Sequence, residues 1–274
     1  MHKQMGPGKS SERPEGRFSS SKPPPSGPQA ELRGALRLMD QGKFYEAERK
    51  LNSILAENPK DRAALGVLIR LYSKAGKLAA AEDVFEYVED HDITDAPLCT
   101  IMISAFGRFN QCEAAREVFD MAVEHGLADV LLYSAMINAY KQAGGMEKAC
   151  EVFTMAVRAG MADLITYTSM IDAYGREGDS ESAETLFREA LQKFEPDGHL
   201  YTAMIGALGR SGRVQEARRL FDEAVRSGNA DTLTYTSMLT TYKRRGLMAE
   251  ARELFLEAKR AGFADDHMHS VFYG

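Results

Sequence analysis

The chain has 274 residues, a formal net charge of −6, 44% hydrophobic and 27% charged residues, the composition of a soluble protein that can bury a core. No apolar run reaches about 18 residues, which excludes a membrane-spanning helix, and the mild acidity weighs against a nucleic-acid binder judged on total charge alone. Cys99, Cys112 and Cys150 have neither metal-ligand nor paired spacing and read as reduced thiols of an intracellular protein.

Residues 1–29 differ from the rest. They are rich in Ser, Pro, Gly and Lys, as in SSSKPPPSGP (19–28), and hold almost no large apolar residue. Such a segment cannot bury enough surface to offset chain entropy, so a disordered tail is predicted. Its five Lys/Arg against two Glu make it net +3, which leaves −9 for the remainder. The basic, Ser-rich character loosely suits an organelle transit peptide, but an amphipathic Arg face is lacking, and a plain disordered tail fits as well.

From there the chain restates itself. ADLITYTSM at 162–170 returns as ADTLTYTSM at 230–238, 68 residues on, and Asp95, Asp129, Asp163, Asp197, Asp231 and Asp265 recur every 34 residues. With Asp as the last residue, units start at 28, 62, 96, 130, 164, 198 and 232, and a partial one starts at 266. Positions 4, 8 and 11 of a unit are apolar or aromatic, for example Tyr167, Ile171 and Tyr174, and they share one face of a first helix. Position 15 is Gly in most units (Gly42, Gly76, Gly144, Gly178, Gly212, Gly246), the signal of a helix end that enters the left-handed region. Position 20 is always Ala, and position 24 is Phe from Phe85 to Phe255, with Leu51 in the first unit. The small residue lets a second helix approach closely while the ring fills the groove between helices. Each unit is therefore a hairpin of two antiparallel helices. One hairpin cannot bury its own apolar face, so the units stack, predicting an all-α, right-handed superhelical solenoid of about seven hairpins. The partial eighth unit is either a cut end, a thin cap, or a surface that a partner covers.

Two families share this grammar. The 34-residue period, Ala at position 20, Phe at 24 and frequent Ala at 27 resemble tetratricopeptide repeats, and GKFYEAERKLNSILAENP (42–59) resembles them most, so 30–61 reads as a tetratricopeptide-like hairpin. From residue 62 on the first helix differs. LITYTSMIDAYGREGDSESAETLF (164–187), with a unit end in Pro196-Asp197 or Ala-Asp, resembles the pentatricopeptide-repeat family, and the likeness recurs across 62–274. The usual period of that family is one residue longer, and Pro normally precedes its Asp.

Position 5 is a small hydroxyl from the third unit on: Thr100, Ser134, Thr168, Thr202 and Thr236. It follows the first-helix aromatic and should project to the concave face, near the terminal Asp. In the pentatricopeptide family such a pair reads one RNA base per repeat. The resemblance thus implies base contacts by these hydroxyls with Asp129, Asp163, Asp197, Asp231 and Asp265. A carboxylate only accepts hydrogen bonds, whereas guanine offers donors at N1 and N2 and adenine an acceptor at N1, so the implied letter is guanine in units three to seven. The competing reading is plain helix capping, which Asp, Ser and Thr do at about 1 kcal/mol each. Position 2, which in this family sandwiches bases, reads as Pro97, Leu131, Ile165, His199, Leu233 and Met268; Leu131, Ile165 and Leu233 fit best, and Pro97 and His199 do not. Position 13 gives Lys74, Arg108, Gln142, Arg176, Arg210 and Arg244, with Lys141 beside the gap. This stripe either tracks a sugar-phosphate backbone or complements the negative ends of helix dipoles. Glu181, Glu184, Glu250 and Glu253 fall on second helices, so a basic groove on an acidic body is expected.

No phosphate-binding or dinucleotide glycine motif, nucleophile motif or zinc-spaced Cys/His set occurs, and His267 and His269 read as a solvated end rather than a metal pair. Neither catalysis nor a cofactor is expected. The resemblance implies single-stranded RNA as partner, G-rich, and a mitochondrial or chloroplast location in a eukaryote, otherwise the cytoplasm. The alternative is a tetratricopeptide-type scaffold that binds proteins through its first unit or open end, with no membrane involved.

Overall fold

The computed structural model describes residues 28–273, and all regular structure in that range is α-helical. The tail 1–29 lies outside the described residues except for its last two, which already belong to the first helix. That helix, α1 (Pro28–Asp40), packs against α2 (Phe44–Glu57), and the compact unit they form ends at Pro59. Ala47, Leu51 and Ile54 of α2 and Ala35 and Met39 of α1 are buried, the pattern expected of the first repeat.

A second compact unit runs from Lys60. It consists of α3 (Arg62–Lys74), α4 (Leu78–Asp90), α5 (Ala96–Arg108), α6 (Cys112–Glu124), α7 (Val130–Gln142), α8 (Met146–Arg158), α9 (Leu164–Glu177) and α10 (Ser180–Lys193). It continues with α11 (Gly198–Ser211), α12 (Val214–Ser227), α13 (Thr232–Arg244), α14 (Met248–Ala261) and α15 (Asp266–Tyr273). Within this unit the odd-numbered helices are the first helices of each repeat and form a layer, and each even-numbered helix packs against the first helix before it or after it.

The core follows the sequence grammar. Ala81, Ala115, Ala149, Ala183, Ala217 and Ala251 are fully buried. The Phe of one repeat meets the position-4 Tyr of the next edge-on, as in Phe119–Tyr133 at 5.2 Å, Phe153–Tyr167 at 5.0 Å and Phe221–Tyr235 at 4.8 Å between ring centroids. Such pairs add about 0.5–1.5 kcal/mol beyond their buried area. They carry stacking from repeat to repeat. Where the third unit lacks Gly at position 15, Asn110 takes the same left-handed turn (φ 60°), which its short polar side chain tolerates.

Neighbouring first helices approach closely where position 12 is Gly. A Cβ on Gly107 would stand 2.8 Å from Ala139 Cβ, and one on Gly175 2.5 Å from Ala207 Cβ. In the fourth repeat that place is Lys141, whose side chain lies between α7 and α9.

Candidate functional site

Seven helices of the first-helix layer begin with an Asp. Oδ1 of Asp61, Asp95, Asp129, Asp163, Asp197, Asp231 and Asp265 accepts the backbone N–H three residues on, at 2.7–3.0 Å. This is N-capping, and it holds an orphan donor at each helix start. It uses one carboxylate oxygen only. Oδ2 of Asp129, Asp163, Asp197 and Asp231 has no hydrogen-bond partner among the described residues, and these four side chains are half-buried rather than sealed.

The position-5 hydroxyls fall into three groups. Ser134 Oγ lies 3.2 Å from Thr166 Oγ1, which donates to Asp163 Oδ1 at 2.6 Å. Thr202 Oγ1 lies 3.1 Å from Thr234 Oγ1, which donates to Asp231 Oδ1 at 2.8 Å. In these two repeats the hydroxyl and the terminal Asp of the same repeat are brought together through one intervening side chain. Thr168 and Thr236 instead donate to the carbonyls of Leu164 and Thr232, both at 2.7 Å, and no hydrogen bond links them to Asp197 or Asp265. Thr100 Oγ1 is buried without any partner. The link thus runs to the Asp that closes the same repeat, so Thr168 and Asp163 belong to neighbouring positions. Thr166 and Thr234 were not legible as members of the ladder. The signal for them was the third letter shared by the two restated segments.

The residues proposed for stacking stand out. Leu131, Ile165 and Leu233 are 66%, 73% and 47% exposed, unusual for large aliphatic side chains arrayed in register. Pro97 and His199 are exposed at the same place. Met268 is buried and donates its backbone N–H to the capping Asp265 Oδ1, so it is the third residue of its repeat, equivalent to Leu200. His267 holds the second place, and the sequence register there was one residue off. His269 packs edge-on against Phe255, with ring centroids 4.8 Å apart.

The cations divide in two. Lys74, Arg108 and Arg244 are exposed at the ends of α3, α5 and α13. Arg176 is 74% exposed and pairs with Asp172 at 2.8 Å. Arg210 turns back to donate to Gly175 O at 2.8 Å and Asp172 Oδ1 at 3.1 Å. Lys141 is half-buried between α7 and α9, donating to the carbonyl and hydroxyl of Ser169, and desolvation there lowers its pKa. The last two are braces between repeats. Clefts of about 270, 310 and 260 Å³ follow one another at this cationic end, between α3 and α5, α5 and α7, and α7 and α9. Polar groups such as Ser104, Asn138 and Arg176 line them.

Carboxylates lie mostly on second helices and pair there, as Glu184 does with Arg213 at 3.0 Å and Glu189 with Lys193 at 2.6 Å. The three cysteines are unpaired, and burial pushes the Cys99 thiol up to about 12, far from a nucleophile's range. No group of three His, Cys, Asp or Glu among the described residues could hold a metal ion. No helix among them is long and apolar enough to cross a membrane.

The family model described as PPR repeat matches residues 98–127, 132–161, 165–193, 199–229 and 233–263, and a tetratricopeptide repeat model matches 38–92. Among solved structures, the pentatricopeptide repeat protein PPR10 from maize superposes with a TM-score of 0.67 at 23% identity. PPR10 in complex with an 18-nt psaJ RNA element gives 0.68 at 22%. The chain is covered over 89% and 93% of its length in these matches, but it spans only 35% and 38% of those chains. A tetratricopeptide repeat protein from Parabacteroides merdae matches at 0.53 and 13% identity, over 89% of this chain and 97% of its own. The curated proteins compared include no match.

Proposed function

Because this chain belongs to the pentatricopeptide repeat family, we propose that it binds single-stranded RNA along its first-helix layer. One base addresses each of repeats three to seven, and guanine is preferred. The observation that carries this reading is the row of half-buried Asp side chains whose Oδ2 atoms are left over after capping, together with hydroxyls in repeats four to seven whose single proton is already committed. Thr168 and Thr236 give theirs to a carbonyl, and Ser134 gives its own to Thr166, whose proton goes to Asp163. A hydroxyl has one proton and a carboxylate none, so each of repeats four to seven offers two acceptors. Guanine, with adjacent N1–H and N2–H donors, complements them. The exposed Leu131, Ile165 and Leu233 supply apolar faces for bases, and Arg108, Arg176 and Arg244 supply charge for the backbone. The likeness to PPR10, solved with an RNA element, supports the same reading. RNA processing, stability or translation, in an organelle, is the setting it fits.

Electrophoretic mobility shifts with G-rich and A-rich 8-mers test it. Tighter binding of the G-rich RNA is expected, and Asp163→Asn with Asp197→Asn should move preference toward A, since the amide offers a donor to adenine N1. Equal binding of both RNAs, or none, sinks the proposal. A protein partner is a second reading, favoured by the tetratricopeptide match over 38–92. Recovery of one partner after RNase treatment would support it.

A further inference from the structure

The relay through Thr166 and Thr234 divides the base ladder into two kinds of position. Both threonines are the third residue of their first helix, and both are buried. The third residue of the intervening repeats is Leu132, Leu200 or Met268, also buried, and those cannot accept a hydrogen bond. The alternation has the 68-residue period with which the chain restates itself.

We propose that Thr166 and Thr234 are specificity-determining positioning residues that make repeats four and six strict for guanine, while repeats five and seven prefer guanine but tolerate adenine. The inference rests on the RNA reading above. In repeat four, Ser134 can donate only by abandoning Thr166 Oγ1, a buried oxygen 3.2 Å away. In repeat six, Thr202 stands in the same relation to Thr234 at 3.1 Å. Their hydroxyls remain acceptors toward a base. Thr168 in repeat five donates to Leu164 O, and Thr236 in repeat seven to Thr232 O, carbonyls that the helix already provides with an N–H. Releasing those hydroxyls orphans nothing. Each can rotate and donate to N1 of adenine while Asp197 or Asp265 accepts from N6. The Asp is held more firmly in the strict repeats as well. Its Oδ1 takes both the backbone N–H and the threonine hydroxyl, at 2.8 and 2.6 Å for Asp163, so Oδ2 is fixed in direction.

The test is fluorescence anisotropy with a G-run RNA carrying a single G→A change at each successive position. The base facing repeat four is identified as the one whose discrimination Asp163→Asn alters. The wild-type protein should lose about fivefold more affinity for adenine at repeats four and six than at five and seven, the worth of one neutral hydrogen bond. Thr166→Val should erase the excess at repeat four alone, and Thr234→Val at repeat six alone, in proteins whose helical content is unchanged by circular dichroism. Equal adenine penalties in all four repeats overturn the proposal and leave RNA binding standing, as do penalties that neither valine variant moves. Should either variant unfold, the other and the wild-type pattern decide. Failure of every RNA to bind overturns the RNA reading and this inference with it.

Discussion

Asp197 divides capping and the proposed base contact between its two carboxylate oxygens. Its Oδ1 caps α11 by accepting from Leu200 N at 2.9 Å, and its Oδ2 has no partner among the described residues. The two purposes separate by substitution. Asn is as good an N-cap as Asp, whereas Ala lacks the acceptor and costs about 1 kcal/mol. Asp197→Ala should therefore lower the urea midpoint of unfolding, and Asp197→Asn should leave it near wild type while altering RNA preference. Equal stability of all three proteins would mean that the cap bond contributes nothing. The capping role was readable from the letter alone, since Asp just before an apolar-periodic run starts a helix. The partner of each neighbouring hydroxyl was not. Thr168 and Ser134 occupy the same place in their repeats, yet one turns to its own helix and the other to Thr166, 32 residues away.

At the scale of the helices, close approach within the first-helix layer depends on Gly at position 12. A methyl group on Gly175 would lie 2.5 Å from Ala207 Cβ and 2.7 Å from its Cα, so α9 and α11 would have to move apart. Ala is intrinsically favoured over Gly in a helix by about 1 kcal/mol, and overpacking of this kind costs about 1–3 kcal/mol. Gly175→Ala should accordingly lower the thermal midpoint, whereas a midpoint at or above wild type would show that the layer can widen freely. The hairpins were legible because their need to bury one face writes itself into positions 4, 8, 11, 20 and 24 of every repeat. The spacing between first helices was less so. Gly at position 12 carries no signal in the sequence of its own repeat, because what it makes room for, Ala139 or Ala207, lies on the next first helix. Lys141 looked like a phosphate contact because sequence gives no direction for a long side chain. Half-buried between α7 and α9, it serves as a spacer where the neighbouring junctions have Gly.

At the scale of the whole array, a body of net −9 can still hold a polyanion if its charges are sorted by layer. Glu184 and Glu189 of a second helix pair with Arg213, just before α12, and Lys193, while Arg108, Arg176 and Arg244 face solvent at the ends of first helices. Screening over about 10 Å at 0.1 M salt keeps the far-side carboxylates from cancelling that stripe. Each phosphate neutralised on a single strand contributes about −0.7 to the slope of log affinity against log salt. Three exposed arginines thus predict a slope of about −2, and Arg108→Gln should make it shallower by about 0.7 without destabilising the fold, since the next repeat already carries Gln142 at that place. Arg210 gives the contrast. It is 28% exposed and braced against Asp172 and Gly175, so Arg210→Gln should weaken the junction of α9 with α11 and leave the slope nearly unchanged. Anisotropy titrations of a G-rich RNA from 50 to 300 mM salt, a range chosen at roughly the span over which counterion release is read, separate the two. If Arg210→Gln flattened the slope and Arg108→Gln did not, the braced arginine would be the one that reaches phosphate, and the division of the stripe into contacts and braces would be wrong.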